Sequence, residues 1–144
     1  MNNDLMFSSN KDDWETPQAF FDELNKEFGF TLDAAADKSN SKCKRWLDDA
    51  MIENWNGVVF CNPPYGKMMP KFLARATEQH DYNINCIKIV FLLPARTDTK
   101  AFHRHLYNKN HVEIRFLKGR LKFEINGVPC KHAAPFPSML AIYR

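Results

Sequence analysis

The chain has 144 residues, 44% of which are hydrophobic, and a formal net charge of +3. This length predicts one domain with one sizeable core and excludes two ordinary domains, so we expect no appended recognition domain. The mild charge does not by itself indicate a nucleic-acid partner.

The first half of the chain carries one strong helical pattern. Apolar residues recur at helical spacing from Phe20 to Phe28, Thr16 is the expected N-cap and Pro17 the first helical residue. Gly29 is expected to end this helix. In chain order, the predictions are a flexible N-terminus (1–13), a helix (17–28), a short buried strand (30–33) and a loop with room for a short helix (40–55).

The second half alternates strands and helices and then continues with strands. The predicted elements are a strand (58–61), a helix (68–79), a buried strand (86–93), a helix capped by Asp98 (99–107) and three strands (112–116, 121–125 and 138–143). This order predicts an α/β domain of three layers over residues 14–144. Its sheet should be parallel at first and antiparallel toward one edge.

Ligands of such sheets bind at the carboxyl ends of the strands. Asp33, Asn62 and Arg96 each follow or end a predicted strand, so we expect them to share that edge. No cysteine or histidine cluster has the spacing of a metal site; the cysteines are Cys43, Cys61, Cys86 and Cys130. The longest apolar run is too short to span a bilayer, so a soluble cytoplasmic protein is expected.

The tetrapeptide Asn62, Pro63, Pro64 and Tyr65 follows the strand at 58–61. The Asn62 side-chain oxygen and the Pro63 carbonyl are two hydrogen-bond acceptors held by rigid proline geometry, which suits a planar amino or amide group. Tyr65 adds a flat face for stacking and a hydroxyl at its rim. This arrangement favours methylation of a planar nitrogen. A proline-rich turn without catalytic function is the alternative interpretation.

Five segments together resemble the phage DNA N-6-adenine methyltransferase family, from Trp14 almost to the C-terminus. They are the stretches Trp-Glu-Thr-Pro (14–17), Leu-Asp-Ala-Ala-Ala-Asp (32–37), Phe-Cys-Asn-Pro-Pro-Tyr (60–65), Leu-Pro-Ala-Arg-Thr-Asp-Thr (93–99) and Lys-Gly-Arg-Leu-Lys-Phe (118–123). The resemblance implies S-adenosylmethionine as the methyl donor and adenine in DNA as the acceptor. It also implies a Rossmann-like methyltransferase fold, a three-layer sandwich with a mixed, mainly parallel sheet.

The resemblance also implies roles for residues that would bind the donor. Thr16 and Pro17 match the segment that closes over the methionine end of the donor, next to Trp14. Asp33 matches an acidic residue at the end of the first strand, followed by Ala34. Asp49 is a candidate acceptor for the adenine amino group of the donor, with a helix-capping or surface carboxylate as the alternative. Asn62 would contact both donor and acceptor.

The predicted DNA contacts are Lys67, Arg96, Arg120 and Lys122. Arg96 could hold a phosphate or the donor carboxylate, or form an ion pair with Asp98. Arg120 and Lys122 are expected on one face of a strand, where they could follow a phosphate backbone. The target base would have to be extruded from a duplex or already be single-stranded.

Two rival functions stay open at this point. One is an N-methyltransferase that acts on RNA or on protein glutamine, and the other is a catalytically inactive nucleic-acid-binding module. A chain of this length predicts short or relaxed target specificity, or help from a partner. The sequence leaves the oligomeric state open, with a dimer among the options. The resemblance implies a phage or prophage origin, in the cytoplasm of a bacterial host.

Overall fold

A computed structural model describes residues 14–144, so the predicted flexible segment 1–13 lies outside the described residues. The α-helices are α1 (Gln18–Phe28) and α2 (Met69–Tyr82), and a π-helical segment covers Phe102–Leu106. The strands are β1 (Leu32–Asp33), β2 (Gly57–Cys61), β3 (Cys86–Pro94), β4 (Val112–Phe116), β5 (Glu124–Ile125), β6 (Val128–Pro129) and β7 (Ser138–Tyr143). Both predicted long helices and the strands at 58–61, 86–93, 112–116 and 138–143 are confirmed to within a few residues.

Five strands form one mixed sheet in the order β1, β2, β3, β7, β4. β1, β2 and β3 pair in parallel, whereas β7 pairs antiparallel with both β3 and β4. The predicted change from parallel to antiparallel pairing is therefore confirmed. The prediction of a mainly parallel sheet is not, because two of the four pairings are antiparallel.

Alternate residues of the central strands face two hydrophobic clusters. Ile89, Phe91 and Leu93 of β3 face the cluster that includes Phe72, Leu73 and Ala76 of α2. The intervening Val90 and Leu92 face the other cluster, which includes Phe21 and Leu24 of α1. A strand covered on both faces must be apolar at every position, which explains the continuous apolar run of β3.

Two sequence predictions about local structure were wrong, a strand and a helix cap, and one predicted helix has a different hydrogen-bond pattern. The predicted strand 121–125 shrinks to β5, which pairs only with β6 in a separate hairpin, so Arg120 and Lys122 do not lie on a strand. The predicted helix at 99–107 is largely the π-helical segment. Asp98 was predicted to cap this helix. Thr99 does so instead, because the backbone amide of Phe102 donates a hydrogen bond to Thr99 Oγ1 (3.2 Å).

Thr16 was predicted to cap α1, and this prediction was wrong. Pro17 occupies the N-cap position, without a side-chain hydrogen bond to the helix. The Thr16 hydroxyl instead contacts Asn62. At the other end of the helix, Gly29 adopts the left-handed conformation (φ 66°) expected of a C-cap glycine.

Candidate active site

A cleft lies at the carboxyl ends of β1 and β2, where the sequence predicted ligand binding. It encloses about 450 Å³ of empty space, counting the part that is open to solvent. Three groups of residues line it: the strap Trp14–Thr16, the carboxyl end of β1 with the loop that follows, and the carboxyl end of β2. Its lining residues are Trp14, Glu15, Thr16, Asp33, Ala35, Ala36, Asn40, Lys42, Phe60, Asn62, Pro63 and Pro64.

The parallel pairing of β1 with β2 explains why Asp33 and Asn62 lie in the same cleft. Asp33 is the last residue of β1 and lies opposite Phe60 of β2. Asn62 follows two residues later, directly after the end of β2. The sequence prediction that these two polar residues share one edge of the sheet is confirmed by this register.

The amide of Asn62 is held by the strap. Its Nδ2 donates to the backbone carbonyl of Trp14 and to Oγ1 of Thr16, the latter at 3.0 Å. Because a carbonyl oxygen can only accept, these bonds identify the nitrogen side of the amide and fix the direction of Oδ1.

Asn62 Oδ1 is buried and has no hydrogen-bond partner among residues 14–144. The carbonyl oxygen of Pro63, the next residue, likewise receives no hydrogen bond from the described part of the chain. Leaving a buried acceptor unpaired costs about 1–3 kcal/mol, so native proteins rarely retain one without a reason. The two acceptors that the sequence predicted are thus in adjacent residues, both of which line the cleft, and neither is paired within the described part of the chain.

Asp33 is a buried carboxylate at the wall of the cleft, with only 4% of its surface exposed. Burial raises its pKa from 3.8 to about 6, against the opposing effect of hydrogen bonds from the backbone. Those bonds come from the amides of Lys42 (2.9 Å) and Ala35 (3.4 Å). They orient the carboxylate and also close the loop after β1 around it. At neutral pH the group is therefore largely ionised, in a site where its charge is costly.

Tyr65 differs from its prediction as an open stacking face. Its side chain is almost completely buried, and the rings of Phe123 and Phe136 contact it edge-on, with centroids at 6.3 and 5.7 Å. The hydroxyl lies 3.4 Å from the carbonyl of Leu92 in the interior, not at a rim. Burial raises the pKa of this hydroxyl far above its usual value, so it stays protonated.

Comparison with family models gives a match over residues 5–144, nearly the whole chain, to DNA N-6-adenine-methyltransferase (Dam). The chain belongs to this family. It is therefore an enzyme, an adenine-specific DNA methyltransferase. A search of curated proteins found no match. Membership agrees with the resemblance carried by the five sequence segments.

Several residues expected to bind the donor of a Dam-family enzyme lie outside the cleft. Ala34 is buried in the core and donates its amide to the carbonyl of Phe60 (2.9 Å), so Ala35 and Ala36 line the cleft in its place. Pro17 is the N-cap residue of α1 and does not line the cleft.

Asp49 lies outside the cleft as well. It is exposed, and its carboxylate accepts from the amide of Met51 at 2.9 Å within a local turn. This matches the alternative of a capping or surface carboxylate.

Among the cleft residues that sequence reasoning missed, three are polar: Asn40, Lys42 and Glu15. Asn40 and Lys42 belong to the segment that the sequence described only as a loop. Both come near β1 because this loop folds back, and the Lys42 amide closes it onto Asp33. No periodic pattern marks such a return. The signal that could have found them is the polar stretch that directly follows a buried acidic strand end.

The four predicted DNA contacts of this Dam-family chain are all exposed: Lys67, Arg96, Arg120 and Lys122. Two of them adjoin the aromatic cluster that covers Tyr65. Arg96 places its guanidinium 5.8 Å from the ring centre of Phe136, and Lys122 precedes Phe123. The alternative ion pair of Arg96 with Asp98 does not occur among the salt bridges of residues 14–144.

Two further observations concern the part of the chain from residue 14 onward. It holds no group of three or more His, Cys, Asp or Glu side chains arranged to bind a metal ion. None of its helices is long and apolar enough to cross a membrane.

Proposed function

We propose that this chain transfers a methyl group from S-adenosylmethionine to the N6 amino group of adenine in DNA, with the target base held by Asn62, Pro63, Pro64 and Tyr65. The family supports adenine in DNA as the substrate. The observation that supports the catalytic assignment is the buried, unpartnered Oδ1 of Asn62 beside the unused carbonyl of Pro63.

The chemistry of the acceptor explains why two oxygen acceptors are needed. The lone pair of an aromatic amino group is delocalised into its ring, which makes the nitrogen a poor nucleophile. Hydrogen bonds from its two N–H groups to Asn62 Oδ1 and the Pro63 carbonyl would favour tetrahedral geometry and localise the lone pair. The same oxygens would stabilise the positive charge that develops on nitrogen as the new N–C bond forms and the methyl–sulfur bond breaks, with its electron pair going to the sulfur, which leaves as a neutral thioether. The surplus proton then leaves to solvent, since neither acceptor is basic.

The cleft suits a donor of this kind. S-adenosylmethionine, when bound, supplies a methyl group on a positively charged sulfur. Asp33 provides a buried negative charge in the wall of the cleft, and Trp14 and Phe60 provide apolar surface beside it. A cation near Asp33 would offset the cost of keeping that carboxylate ionised. We assign Trp14, Thr16 and Asp33 to the donor, and Ala35 and Ala36 in place of Ala34.

The base site requires a rearrangement. Phe136 packs edge-on against Tyr65 and is itself half-buried beneath Arg96. For the Tyr65 ring to stack on an extruded adenine, Phe136 has to leave its position. The loop that carries Phe136 is anchored on both sides, by the amide of Ala134 to Leu121 and the amide of Ala95 to the carbonyl of Pro137. A side-chain rotation within this anchored loop is the smallest movement that would open the site.

The surrounding cations would hold DNA. Lys67, Arg96, Arg120 and Lys122 are exposed, and Arg96 and Lys122 adjoin the rings that cover Tyr65, so these charges would contact phosphates beside an extruded nucleotide. We further propose a Rossmann-like fold in a single compact domain, with short or relaxed target specificity unless a second copy or a partner assists. A phage origin and action in a bacterial cytoplasm fit this function.

Transfer of labelled methyl groups tests the proposal. The purified protein is incubated with labelled S-adenosylmethionine and, in parallel, with unmethylated DNA, RNA or a protein extract, and the products are digested for nucleoside and amino-acid analysis. We expect N6-methyladenine in DNA alone. Label in RNA or in protein glutamine would overturn the substrate, and no label in any sample would favour a binding module without activity.

A further inference from the structure

The strap and the catalytic motif are joined at one buried contact. Thr16 is 3% exposed, and its Oγ1 accepts the hydrogen bond from Asn62 Nδ2 at 3.0 Å. The side chains come from positions 46 residues apart in the sequence, so the contact is tertiary and not part of a local turn. Thr16 would be expected to cap α1, yet its hydroxyl makes no bond to the helix.

From this contact we propose that Thr16 is a positioning residue for methyl transfer, which fixes the direction in which Asn62 presents Oδ1 to the amino group. The inference rests on the proposed role of Asn62. An asparagine amide has a broad torsional preference about its terminal bond. The Trp14 carbonyl and the Thr16 hydroxyl, which accept from Nδ2, remove that freedom. Rotation of the amide by 180° would place Oδ1 against the carbonyl of Trp14.

A mutation can remove only one of the two groups that accept from Asn62 Nδ2. The carbonyl of Trp14 belongs to the backbone and is present in every variant. The hydroxyl of Thr16 is the part of the clamp that a side-chain change can delete without altering Asn62. Misplacing a catalytic group by a fraction of an ångström lowers the rate without lowering substrate binding to the same degree. Thr16 therefore acts on kcat through Asn62.

The test compares Thr16→Val, which keeps the shape and deletes the hydroxyl, with Thr16→Ser, which keeps the hydroxyl and deletes the methyl group. Thr77→Val is the matched control. Thr77 also has a bonded hydroxyl, but its partners are the carbonyl of Leu73, His105 and Tyr143, on the opposite side of the sheet from the strap. Each variant is assayed over a range of donor concentrations at saturating DNA, which gives kcat and the KM for the donor, with thermal unfolding measured alongside.

We expect Thr16→Val to lower kcat by about tenfold, the effect of losing one orienting hydrogen bond. Thr16→Ser should restore most of that loss. Thr77→Val should lower the unfolding temperature and leave kcat unchanged. Combining Thr16→Val with Asn62→Ala should add no further loss to that of Asn62→Ala alone, because Thr16 acts through Asn62.

Two outcomes would overturn the inference. The first is a normal kcat in Thr16→Val with only a higher KM for the donor, which would make Thr16 a donor contact alone. The second is an equal loss in Thr16→Val and Thr16→Ser, which would assign the effect to methyl packing. Failure of the proposed function is a separate result, since then Asn62→Ala itself would remain active.

Discussion

Asp33→Asn should make the protein more stable at neutral pH while weakening the binding of the methyl donor. The Asp33 carboxylate is buried, and its pKa lies at about 6 in the folded protein, compared with an ordinary value of 3.8. A raised pKa means that folding disfavours the ionised form. The loss of folding stability caused by ionised Asp33 is therefore absent at low pH, grows as the pH rises from about 4 to 6, and is fully present above 6.

The size of this cost follows from the two pKa values. A rise from 3.8 to about 6 corresponds to about 3 kcal/mol of destabilisation above pH 6. Asparagine carries no charge and avoids that cost. It also has one oxygen instead of two, so one of the two backbone amides now bonded to the carboxylate, those of Lys42 and Ala35, would lose its acceptor. That loss costs about 1 kcal/mol, which leaves a net gain of about 2 kcal/mol at pH 8.

Urea unfolding of both proteins at pH values from 4 to 8 measures this effect. The difference in unfolding free energy between Asp33→Asn and the natural chain should move in favour of the variant by about 2.5 kcal/mol across this range, because part of the roughly 3 kcal/mol is already present at pH 4. Groups that titrate equally in both proteins cancel in the difference. Calorimetry with S-adenosylmethionine should show weaker binding to the variant. Parallel stability curves across the pH range would refute the argument that Asp33 is kept ionised at a cost.

Two further changes test the packing at the start of β2 and the role of the tyrosine. Gly57→Ala should destabilise the protein by about 3 kcal/mol or more in urea unfolding, since a Cβ at this φ of 91° would lie 2.3 Å from Thr31 Oγ1. The control Gly127→Ala has open space around it and should cost only about 1 kcal/mol. Equal losses of stability in the two variants would contradict the predicted clash. Tyr65→Phe should keep kcat within about threefold, because the hydroxyl makes only a long contact with the Leu92 carbonyl, and a hundredfold fall would mean that the hydroxyl takes part in the reaction.

The sequence predicted the elements that have strong periodic signals. The buried run of β3 and the amphipathic pattern of α1 depend on burial at every position or at every helical turn, and both are visible in one dimension. The strand predicted at 121–125 failed because Phe123 is buried by contacts with Trp14 and Tyr65 rather than by strand pairing. An apolar residue between polar ones has the same alternation in either case.

The residues of the candidate site likewise divide into those that the sequence predicted correctly and those that it did not. Asn62 was found from the tetrapeptide that follows β2, and its position in one cleft with Asp33 was predictable because parallel strands bring their carboxyl ends to one edge. The surroundings of Thr16 and Tyr65 were misjudged for a different reason. Local rules assign a threonine before a proline to a helix cap and a tyrosine after two prolines to a surface, whereas the tertiary fold turns the hydroxyl of Thr16 to Asn62 and buries Tyr65.

The most direct test of the central claim is the effect of Asn62→Ala on methyl transfer to DNA and, separately, on the affinity for S-adenosylmethionine. If Asn62 Oδ1 accepts a hydrogen bond from the adenine amino group in the transition state, kcat should fall by more than about a hundredfold while the donor affinity changes by less than about threefold. Retention of activity, or an equal loss of donor affinity and activity, would contradict the account.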